Sequence, residues 1–510
     1  MSNSWNYDRA LEQIDKRMAD VETVIIKEYG RDLTLESIPT NTAYRVDAVH
    51  LYADILNIGE MLNVTKFEGT DCHKRTLRFL DQHYRAVQRV LDAVDAKRID
   101  FHNQRLHAIF AKPYNTEEDA EKSRIQRAVA TAQLMIDVLA QTSDLDEGVP
   151  AAKVRVGIDS GRALAVNNGR NGYREPLFLG NPANHAAKLA SNSAVEGIYL
   201  TNVARSKLGL EESAKPEKVA LSAEEIAACQ DAASLEITVD AIVKTWKDDL
   251  ANNPIGSFEF FRHTPPLSTM DIASLTPANS RRQEAVSMYA DIDGFTGYVA
   301  EHIDENTEDI VRVLHVVRAE LERVLTSEFG GRRARFIGDC VHGLICEGTA
   351  HSTDEHASVT TATLLAGALR SSFELCLERL QSAGRSTGTL GLAIGFDFGP
   401  VSVTRLGKKG HRVRCAISRN VLESEVQQAR CSGTETAIGT SAFDVASDAV
   451  RELFGSKRRV ADLDYNEAVE ALADKGEPSA NVVRDAIAGA PAIIRAESRE
   501  VQPYTRAPQY

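Results

Sequence analysis

The sequence predicts an α+β fold built from two similar domains in one chain, one within the first half (residues 1–265) and one within the second half (266–510). An apolar strand runs into an aspartate in both halves: AVHLYADILNIGEML contains Asp54, and AVSMYADIDGFTGYV contains Asp291. A second pair of segments, VRVGIDSGRALAV and LAIGFDFGPVSV, recurs in the same order at nearly the same separation, as does the pair HAIF and HGLI. Three repeated segments in one order indicate an internal duplication.

Each half shows the same succession of predicted elements. A strand rich in β-branched and aromatic residues ends at the aspartate, and a helix follows, which in the second half is IVRVLHVVRAELERVL, with apolar residues three and four apart. Next come a hairpin, RARFIGDCVHGLI, a long helix, EHASVTTATLLAGALRSSFELCLERL, and a strand pair around the Gly-x-Asp-x-Gly segment. Strands and helices mix without strict alternation, which favours helices packed on a sheet.

Composition and spacing predict the domain boundaries. Residues 1–30 have apolar residues at helical spacing, and they predict a single amphipathic helix that packs on the chain or forms a homodimer. Residues 211–252 are polar and helix-prone, which is typical of an excursion from the first domain. A stretch rich in Pro, Ser and Thr predicts the linker. The predicted parts are a helical extension, a first domain, a linker and a second domain, at 1–40, 41–265, 266–282 and 283–510.

Charge and composition exclude several classes of protein. The 510 residues include 59 Lys and Arg against 73 Asp and Glu, which gives a formal net charge of −14 and argues against a nucleic-acid-binding face. No stretch approaches the roughly 18 unbroken apolar residues of a membrane span, and the first residues lack the order of a secretion signal. The seven cysteines are scattered without a CxxC pair, as is typical of reduced thiols. We therefore predict a cytoplasmic protein without a nucleic-acid or membrane partner.

The second half carries residues that indicate a specific chemistry. Asp291 ends an apolar strand, and Asp339 lies at the turn of the predicted hairpin. Carboxylates at the ends of neighbouring strands can share divalent ions, because Mg²⁺ and Mn²⁺ prefer hard oxygen ligands. Gly294 and Thr296 open the next helix, where backbone N–H groups could hold a phosphate. Paired carboxylates beside a phosphate site are what a two-metal displacement at phosphorus requires.

With these motifs in order, the sequence resembles the class III nucleotidyl cyclases. YADIDGFT resembles the family's Asp-Ile-x-Gly-Phe-Thr segment, RFIGDCVHGLI its Gly-Asp hairpin, and IGFDFGPVSV the segment that usually reads Gly-Ile-His-x-Gly. In the first half, LFLGNPANHAAKLAS resembles the start of the helix that carries an Asn and an Arg one turn apart. The resemblance covers 41–205 and 283–440. It implies two ferredoxin-like domains that form an intramolecular pseudo-dimer, with active sites built across the interface.

The resemblance also implies which residues each half has kept. Asp291 and Asp339 match the two metal-binding aspartates, with the Ile292 carbonyl as an accessory ligand, so all three metal positions lie in the second half. Asn184 and Lys188 match the Asn and Arg that contact the transition state, and both lie in the first half.

Each half has lost what the other retains. In the first half Asp54 remains, but Gln104 stands at the position of the second aspartate and makes a poor metal ligand. In the second half Leu422 and Val426 stand at the Asn and Arg positions and cannot donate hydrogen bonds. Independent loss of site residues in the two halves would not be expected to leave such complementary sets. The pattern therefore predicts one live site and one degenerate second site that contains Asp54 and Gln104.

The implied reaction is the cyclisation of a nucleoside triphosphate. Two Mg²⁺ or Mn²⁺ ions on the aspartates bind the triphosphate and lower the pKa of the ribose 3′-hydroxyl, whose oxygen attacks the α-phosphorus in line while pyrophosphate leaves. Asn184 would orient the ribose, and Lys188 would neutralise charge on the α-phosphate. Lysine lacks the planar fork of arginine, so its hold on the phosphate should be looser.

The base-reading positions differ from those of purine cyclases, which read adenine with a Lys and an Asp, or guanine with a Glu and a Cys. In the first half the matching residues are Asp100 and Leu177, with Tyr52 where the family usually has a Phe. In the second half the corresponding residues are Arg335, Cys415 and Tyr289. Neither set is the purine pattern, and a tyrosine in place of phenylalanine favours a smaller base.

The combination of Tyr-Ala-Asp-Ile with Arg-x-Ile-Gly-Asp resembles the pyrimidine cyclases of bacterial Pycsar antiphage defence, which make cyclic UMP or cyclic CMP. In the single-site arrangement, Arg335 is predicted to line the degenerate site and Asp100 the live one. An ionised Asp100 favours the amino group of cytosine, whereas most Pycsar cyclases make cyclic UMP. UTP is therefore the predicted substrate and CTP the alternative. The resemblance also implies a role in antiviral defence, with a separate effector that senses the product.

Three other functions remain open on the sequence alone. DIDGFT fits the start of haloacid-dehalogenase-type phosphatases, in which the first Asp is a nucleophile, but GDCVHG lacks the later Asp of that fold. An ordinary adenylate cyclase conflicts with the missing Lys–Asp pair and with the lack of a sensor domain. A catalytically inactive nucleotide sensor conflicts with the complementary retention of the aspartates and Asn184.

Overall fold

In the computed structural model, the chain is an α+β fold with helices packed on two main sheets. The structure describes residues 4–63, 65, 67–115, 117, 119–144, 148–167 and 176–489. The predicted fold class is thus confirmed at the level of mixed helices and strands. Within the described ranges, no helix combines the length and the apolar character needed to cross a bilayer.

The first half contains these elements in chain order: α1 (Tyr7–Asp20), β1 (Ile25–Glu28), β2 (Thr42–Ile55), α2 (Ile58–Leu62), α3 (Thr70–Ala93), β3 (Lys97–His102), β4 (Arg105–Phe110), α4 (Ala120–Leu139), β5 (Val154–Val166), β6 (Leu177–Leu179), α5 (Asn181–Ser191), β7 (Gly197–Leu200), α6 (Asn202–Leu208), α7 (Ala223–Ala233), α8 (Val239–Asn252) and β8 (Phe260–Phe261).

The second half contains these elements: β9 (Ser280–Asp293), α9 (Phe295–His302), α10 (Thr307–Arg323), β10 (Arg332–Ile337), β11 (Cys340–Ile345), β12 (Glu347–Gly348), β13 (Thr353–Asp354), α11 (Glu355–Ser382), β14 (Gly391–Leu406), β15 (Val413–Ile417), α12 (Arg419–Ala429), β16 (Glu435–Ile438), α13 (Thr440–Asp444), α14 (Asp448–Phe454), β17 (Arg459–Ala461), α15 (Tyr465–Asp474) and α16 (Pro478–Gly489).

The two main sheets share one strand order. In the first sheet the order is β3-β4-β2-β5, and in the second it is β10-β11-β9-β14. The long strand β5 then pairs antiparallel with β6 and parallel with β7, and β14 pairs in the same two ways with β15 and β16. These matching pairings are the structural counterpart of the repeated sequence segments.

Each half buries the end of a hairpin in the core of the other half. The β5–β6 hairpin contributes apolar side chains to the core beneath α10 and α11, namely Leu164, Val166, Leu177 and Leu179. The β14–β15 hairpin contributes side chains to the core beneath α3, namely Leu406, Val413, Cys415 and Ile417. Burial of one such apolar side chain stabilises by about 1.5–3 kcal/mol, so the exchange fixes the two halves against each other.

The prediction of one helix over residues 1–30 is wrong at its C-terminal end. α1 ends at Asp20, and β1 then pairs in parallel with β2 of the first sheet. The helix stops there because the following run from Val21 to Ile26 is rich in β-branched residues, which favour strands. The predicted extension 1–40 is therefore partly a strand.

The apolar face of α1 is covered within the chain. Ala10 and Ile14 are buried against α10 and α11. Arg9 forms ion pairs with Glu320 at 2.7 Å and with Glu328 at 2.6 Å. The helix thus packs on the second half, and the apolar face that suggested a homodimer is already occupied.

The second sheet begins earlier in the chain than the predicted boundary at 283. β8 pairs in parallel with β9, and β9 itself begins at Ser280. The predicted linker 266–282 contains short 3₁₀ turns. Its apolar side chains are buried against this sheet, namely Leu267, Met270, Ile272 and Leu275. At the other end of the predicted second domain, residues 490–510 lie outside the described residues.

Candidate functional site

The two aspartates of the second half lie together at one end of its sheet. Asp291 is near the end of β9, and Asp339 follows Gly338 in the tight turn between β10 and β11. β11 pairs with β9 so that Val341 faces Ala290, which brings the turn beside Asp291. Gly338 has a φ of 63°, a left-handed conformation that glycine adopts without strain.

Burial and mutual repulsion set the electrostatics of this pair. Burial, together with the charge of the Asp293 carboxylate, raises the pKa of Asp291 to about 6. Burial also holds the pKa of Asp339 well above its usual range; the charge of Asp291 adds to this effect and Arg318 opposes it. Gln428 Nε2 donates to Asp291 Oδ2 at 3.4 Å. Among the described residues neither carboxylate has an ion-pair partner, so a cation would relieve the repulsion between them.

This donor set fits Mg²⁺ or Mn²⁺. Both side chains supply hard carboxylate oxygens, which these ions prefer. Within the described part of the chain, no group of three or more His, Cys, Asp or Glu side chains could hold an ion by itself. An ion at Asp291 and Asp339 would therefore complete its shell with water, substrate phosphate and a backbone oxygen, as Mg²⁺ usually does. Ile292 follows Asp291 on β9, and its carbonyl remains the predicted backbone ligand.

The first half brings Asn184 to this end of the second sheet. α5 begins directly after Gly180, whose φ of 128° favours glycine and where an added Cβ would lie 3.3 Å from Ile303 Cδ1, a tight contact. Asn184 Nδ2 donates to Thr296 Oγ1 at 3.2 Å. Thr296 lies in the first turn of α9, the helix that follows Asp291. Asn184 of the first half and Thr296 of the second, two residues that were predicted to belong to one site, are thus in contact.

The first turn of α9 and Lys188 complete this region. Gly294, with a φ of 80°, precedes α9, and in the described residues no side chain caps the free N–H groups of its first turn. Such groups suit a phosphate. Lys188 is exposed one turn beyond Asn184 on the same face of α5. We call the region of Asp291, Asp339, Thr296, Asn184 and Lys188 the main cleft.

The corresponding hairpins of the two halves have the same register. Tyr52 on β2 faces His107 on β4, and Tyr289 on β9 faces His342 on β11. In each pair the rings stack, with centroids 4.1 Å and 4.3 Å apart. Both predicted base-contacting tyrosines are therefore held by a histidine on the neighbouring strand. The common register also makes Asp54 the structural counterpart of Asp291.

The region around Asp54, which we call the second cleft, contains a cation from the protein itself. Arg105 Nε donates to Asp54 Oδ1 at 2.7 Å, and Arg105 Nη2 donates to Asp54 Oδ2 at 3.0 Å. Gln104 lies in the turn before β4, and the preceding Asn103 has a φ of 48°, similar to that of Gly338. On the facing helix α12, Leu422 packs against the core of the first half.

The prediction that Arg335 and Asp100 line different sites is wrong. Arg335 Nη2 donates to Asp100 Oδ1 across the interface between the halves, and Arg335 Nη1 donates to the Phe101 carbonyl. The two positions correspond in the repeat, and the edge strands that carry them, β3 and β10, approach each other. The pattern of each half alone could not reveal this contact. Leu177, the other predicted base-reading residue of the first half, is buried in the core of the second half.

Sequence reasoning missed the cation that contacts Asp54 and the amide that contacts Asp291. Arg105 immediately follows Gln104, and the β2–β4 register places it opposite Asp54. Extending the comparison of the two hairpins by one residue would have revealed it, because Cys340 follows Asp339 at the matching place. Gln428 lies on α12 and gave no motif signal.

Comparison with known proteins agrees with this geometry. No family model matches the chain. The chain is 68% identical over 507 residues to a uridylate cyclase of Pseudomonas aeruginosa, covering 99% of both chains. It is 39% identical over 436 residues to a uridylate cyclase of a Rhizobium species, covering 82% of both chains. A crystal structure of a class III adenylyl cyclase-like ATP-binding protein from Pseudomonas aeruginosa is 69% identical, with a TM-score of 0.92 over 92% of this chain and 100% of that chain.

The fold is that of a class III nucleotidyl cyclase, an enzyme class, as the sequence resemblance predicted. Within that class, the chain belongs to the Pycsar-type family of the uridylate cyclases.

Proposed function

We propose that the protein converts UTP to 3′,5′-cyclic UMP and pyrophosphate at a single composite site, the main cleft. The observation that carries this proposal is the hydrogen bond from Asn184 of the first half to Thr296 of the second, beside Asp291. Full-length relatives that are named uridylate cyclases support the choice of substrate.

The two halves act in this proposal as an intramolecular pseudo-dimer. The shared strand order and the reciprocal burial of the β5–β6 and β14–β15 hairpins support it. Because the exchange fixes the halves against each other, the residues of the main cleft are preorganised without a second chain.

Asp291 and Asp339 hold Mg²⁺ or Mn²⁺ in the proposed reaction. Bound divalent ions lower the pKa of the ribose 3′-hydroxyl and neutralise the triphosphate. Gln428 orients the Asp291 carboxylate through its amide, as groups behind metal ligands commonly do. The first-turn N–H groups of α9 bind phosphate oxygens, and the helix dipole favours that negative charge.

The first half supplies the groups that act on the reacting atoms. Asn184 orients the ribose so that its 3′-oxygen lies in line with the α-phosphorus. Lys188 neutralises the charge that develops on the α-phosphate as pyrophosphate leaves. In the free protein Thr296 Oγ1 accepts from the Asn184 amide, which holds the side chain in the cleft until the substrate displaces this contact.

The ion pair of Arg335 and Asp100 favours uracil as the base. Arg335 neutralises the Asp100 carboxylate, so the repulsion between that carboxylate and the carbonyl oxygens of uracil is reduced. A guanidinium can also donate to carbonyl oxygens, which uracil presents at two positions. Tyr52 offers an aromatic face beside this pair, and its stacking on His107 fixes its orientation.

The resemblance to the Pycsar cyclases extends the proposal to antiviral defence in the cytoplasm, with the cyclic nucleotide read by a separate effector.

Product analysis tests the proposal. The purified chain is incubated with ATP, GTP, CTP or UTP and Mn²⁺, and the products are resolved by chromatography. Cyclic UMP from UTP is the expected product. Cyclic CMP would favour the cytidylate alternative, and cyclic AMP an ordinary adenylate cyclase. Release of phosphate alone, or binding without turnover of any nucleotide, would refute a cyclase.

A further inference from the structure

The second cleft contains a buried aspartate whose charge is already balanced. The Asp54 side chain is 8% exposed, and both of its oxygens accept from one guanidinium, that of Arg105. A two-point contact of this kind satisfies the geometry of a carboxylate as well as its charge. In the main cleft, by contrast, Asp291 and Asp339 have no such partner among the described residues.

Arg105 occupies the position that directly follows the metal-binding turn in the other half. Asp54 faces Arg105 in the β2–β4 ladder. In the β9–β11 ladder Ala290 faces Val341, so the next step along each strand leads to Asp291 and to the residue after Asp339. The Arg105 guanidinium therefore approaches Asp54 from the side that corresponds, in the main cleft, to the position of Asp339 beside Asp291.

The second half adds its own groups to this cleft. Burial alone would lower the pKa of Arg105, but the charge of Asp54 and, to a smaller degree, that of Glu425 on α12 raise it. Burial raises the pKa of Glu425, while Arg105 opposes that effect. The charge of one guanidinium thus acts on both Asp54, which it contacts, and Glu425, and these two carboxylates belong to opposite halves.

Arg419, at the start of α12, contacts the C-terminal end of α2, which is the end opposite to the one that corresponds to the free N–H groups of α9. Its Nη2 donates to the Leu62 carbonyl at 2.7 Å and to the Thr65 carbonyl at 2.6 Å. Its backbone N donates to Glu68 Oε1 at 2.8 Å. α2, the counterpart of α9, ends at Leu62, so this arginine ties down the segment that corresponds to the proposed phosphate-binding helix.

We propose that Arg105 takes the place of the metal ion in the second cleft and thereby excludes metal-bound nucleoside triphosphates from it, so that each chain binds one nucleotide with its metal ions. The inference rests on the proposed function for the location of the main cleft. It adds that Arg105 already balances the charge of Asp54 in the second cleft. A metal ion would have to displace Arg105 from Asp54.

Mn²⁺ binding, followed by electron paramagnetic resonance of the free ion, tests the role of Arg105 without any activity assay. The background is the chain with Asp291→Asn and Asp339→Asn, which removes the main-cleft ligands. This chain is expected to bind no Mn²⁺. Adding Gln104→Asp and Arg105→Ala is expected to create binding of one Mn²⁺ per chain, because Asp54 then regains a carboxylate neighbour and loses its cation. Arg162→Ala in the same background is the matched control, since Arg162 forms an exposed ion pair with Asp47 at 3.5 Å; it is expected to create none.

Two results would overturn the inference. One is Mn²⁺ binding by the background chain that disappears on Asp54→Asn, since Arg105 would then not exclude the metal. The other is a folded Gln104→Asp, Arg105→Ala chain, with an unchanged circular dichroism spectrum, that binds no Mn²⁺.

A second measurement uses the unaltered chain and does not depend on the folding of any variant. Calorimetric titration with 3′-deoxy-UTP and Mn²⁺ is expected to give one nucleotide per chain. Two per chain would overturn the inference even if cyclic UMP is made. One per chain with no cyclic UMP from UTP would instead refute the proposed function and uphold the exclusion of nucleotide from the second cleft.

Discussion

Asn184 Nδ2 of the first half donates to Thr296 Oγ1 of the second half at 3.2 Å. This contact joins α5, which carries the predicted transition-state residues, to α9, which directly follows Asp291. Among the described residues, no comparable polar pair lies at the matching position of the other cleft, because Leu422 replaces the asparagine and packs against the first half's core. The molecule therefore has two clefts of similar architecture but different chemical content.

Asn184→Ala is expected to lower kcat for cyclic UMP formation by about 10²–10³-fold, the usual effect of removing one well-placed hydrogen-bond donor from a transition state. KM should change little, because the amide acts on the reacting geometry more than on ground-state binding. Steady-state kinetics with UTP measure both constants. Leu422→Ala is the matched control at the corresponding helix position and should leave kcat within about threefold of the unaltered chain. Equal losses in the two variants would contradict a single composite site.

Asp339→Asn is expected to abolish turnover, whereas Asp54→Asn should retain most of it. Asp339 is one of two carboxylates available to a metal in the main cleft, but Asp54 already pairs with Arg105. The cost of Asp54→Asn should appear in stability instead, as a loss of about 1–3 kcal/mol in the free energy of unfolding, because a largely buried guanidinium loses its partner. Urea unfolding and product assays on both variants separate the two effects. Comparable loss of activity in both would show that the second cleft takes part in catalysis.

Mn²⁺ affinity is expected to fall as the pH is lowered from 8 to 6. Burial and the neighbouring charge raise the pKa of Asp291 to about 6 and hold that of Asp339 well above its usual range, so protons compete with the metal in this window. The metal-free protein should show the opposite trend, because a folded state with raised carboxyl pKa values binds more protons than the unfolded chain. Its stability is lost as pH rises through the raised pKa values.

Metal titration and thermal unfolding in a chelator, each at pH 6 and pH 8, measure these two trends. In Asp291→Asn the pH dependence of the metal-free stability should weaken. A metal affinity that stays constant between pH 6 and 8 would contradict the raised pKa values.

The duplication and the hairpins could be predicted because each has a local sequence signal. An apolar strand ending in Asp291 and a Gly-Asp turn at Asp339 are readable without knowledge of the rest of the chain. The end of α1 at Asp20 was missed because the helical spacing of apolar residues continues past it, while the β-branched run pairs with β2 instead. Strand pairing over long sequence separations overrides local periodicity.

The contacts between the halves could not be predicted in the same way. Arg335 and Asp100 occupy equivalent positions of the repeat, so a comparison of the halves assigns them to two separate sites. Only the approach of β3 to β10 turns these two positions into one ion pair. The same holds for Glu425 and Arg105, whose proximity depends on how α12 faces the first sheet.

Arg335→Ala is expected to shift the ratio of kcat/KM for UTP over CTP toward CTP by about tenfold, which corresponds to about 1.4 kcal/mol. Without the guanidinium, the Asp100 carboxylate repels the carbonyl oxygens of uracil and can accept from the amino group of cytosine. Asp100→Asn is the complementary variant: it removes the negative charge and leaves the donors of Arg335, so it should maintain or increase the preference for UTP. Competition assays with both nucleotides in one reaction measure the ratio directly. If both variants keep the ratio of the unaltered chain, the base is read elsewhere, because the two substitutions change the charge beside it in opposite directions and cannot both be silent at a base-reading position.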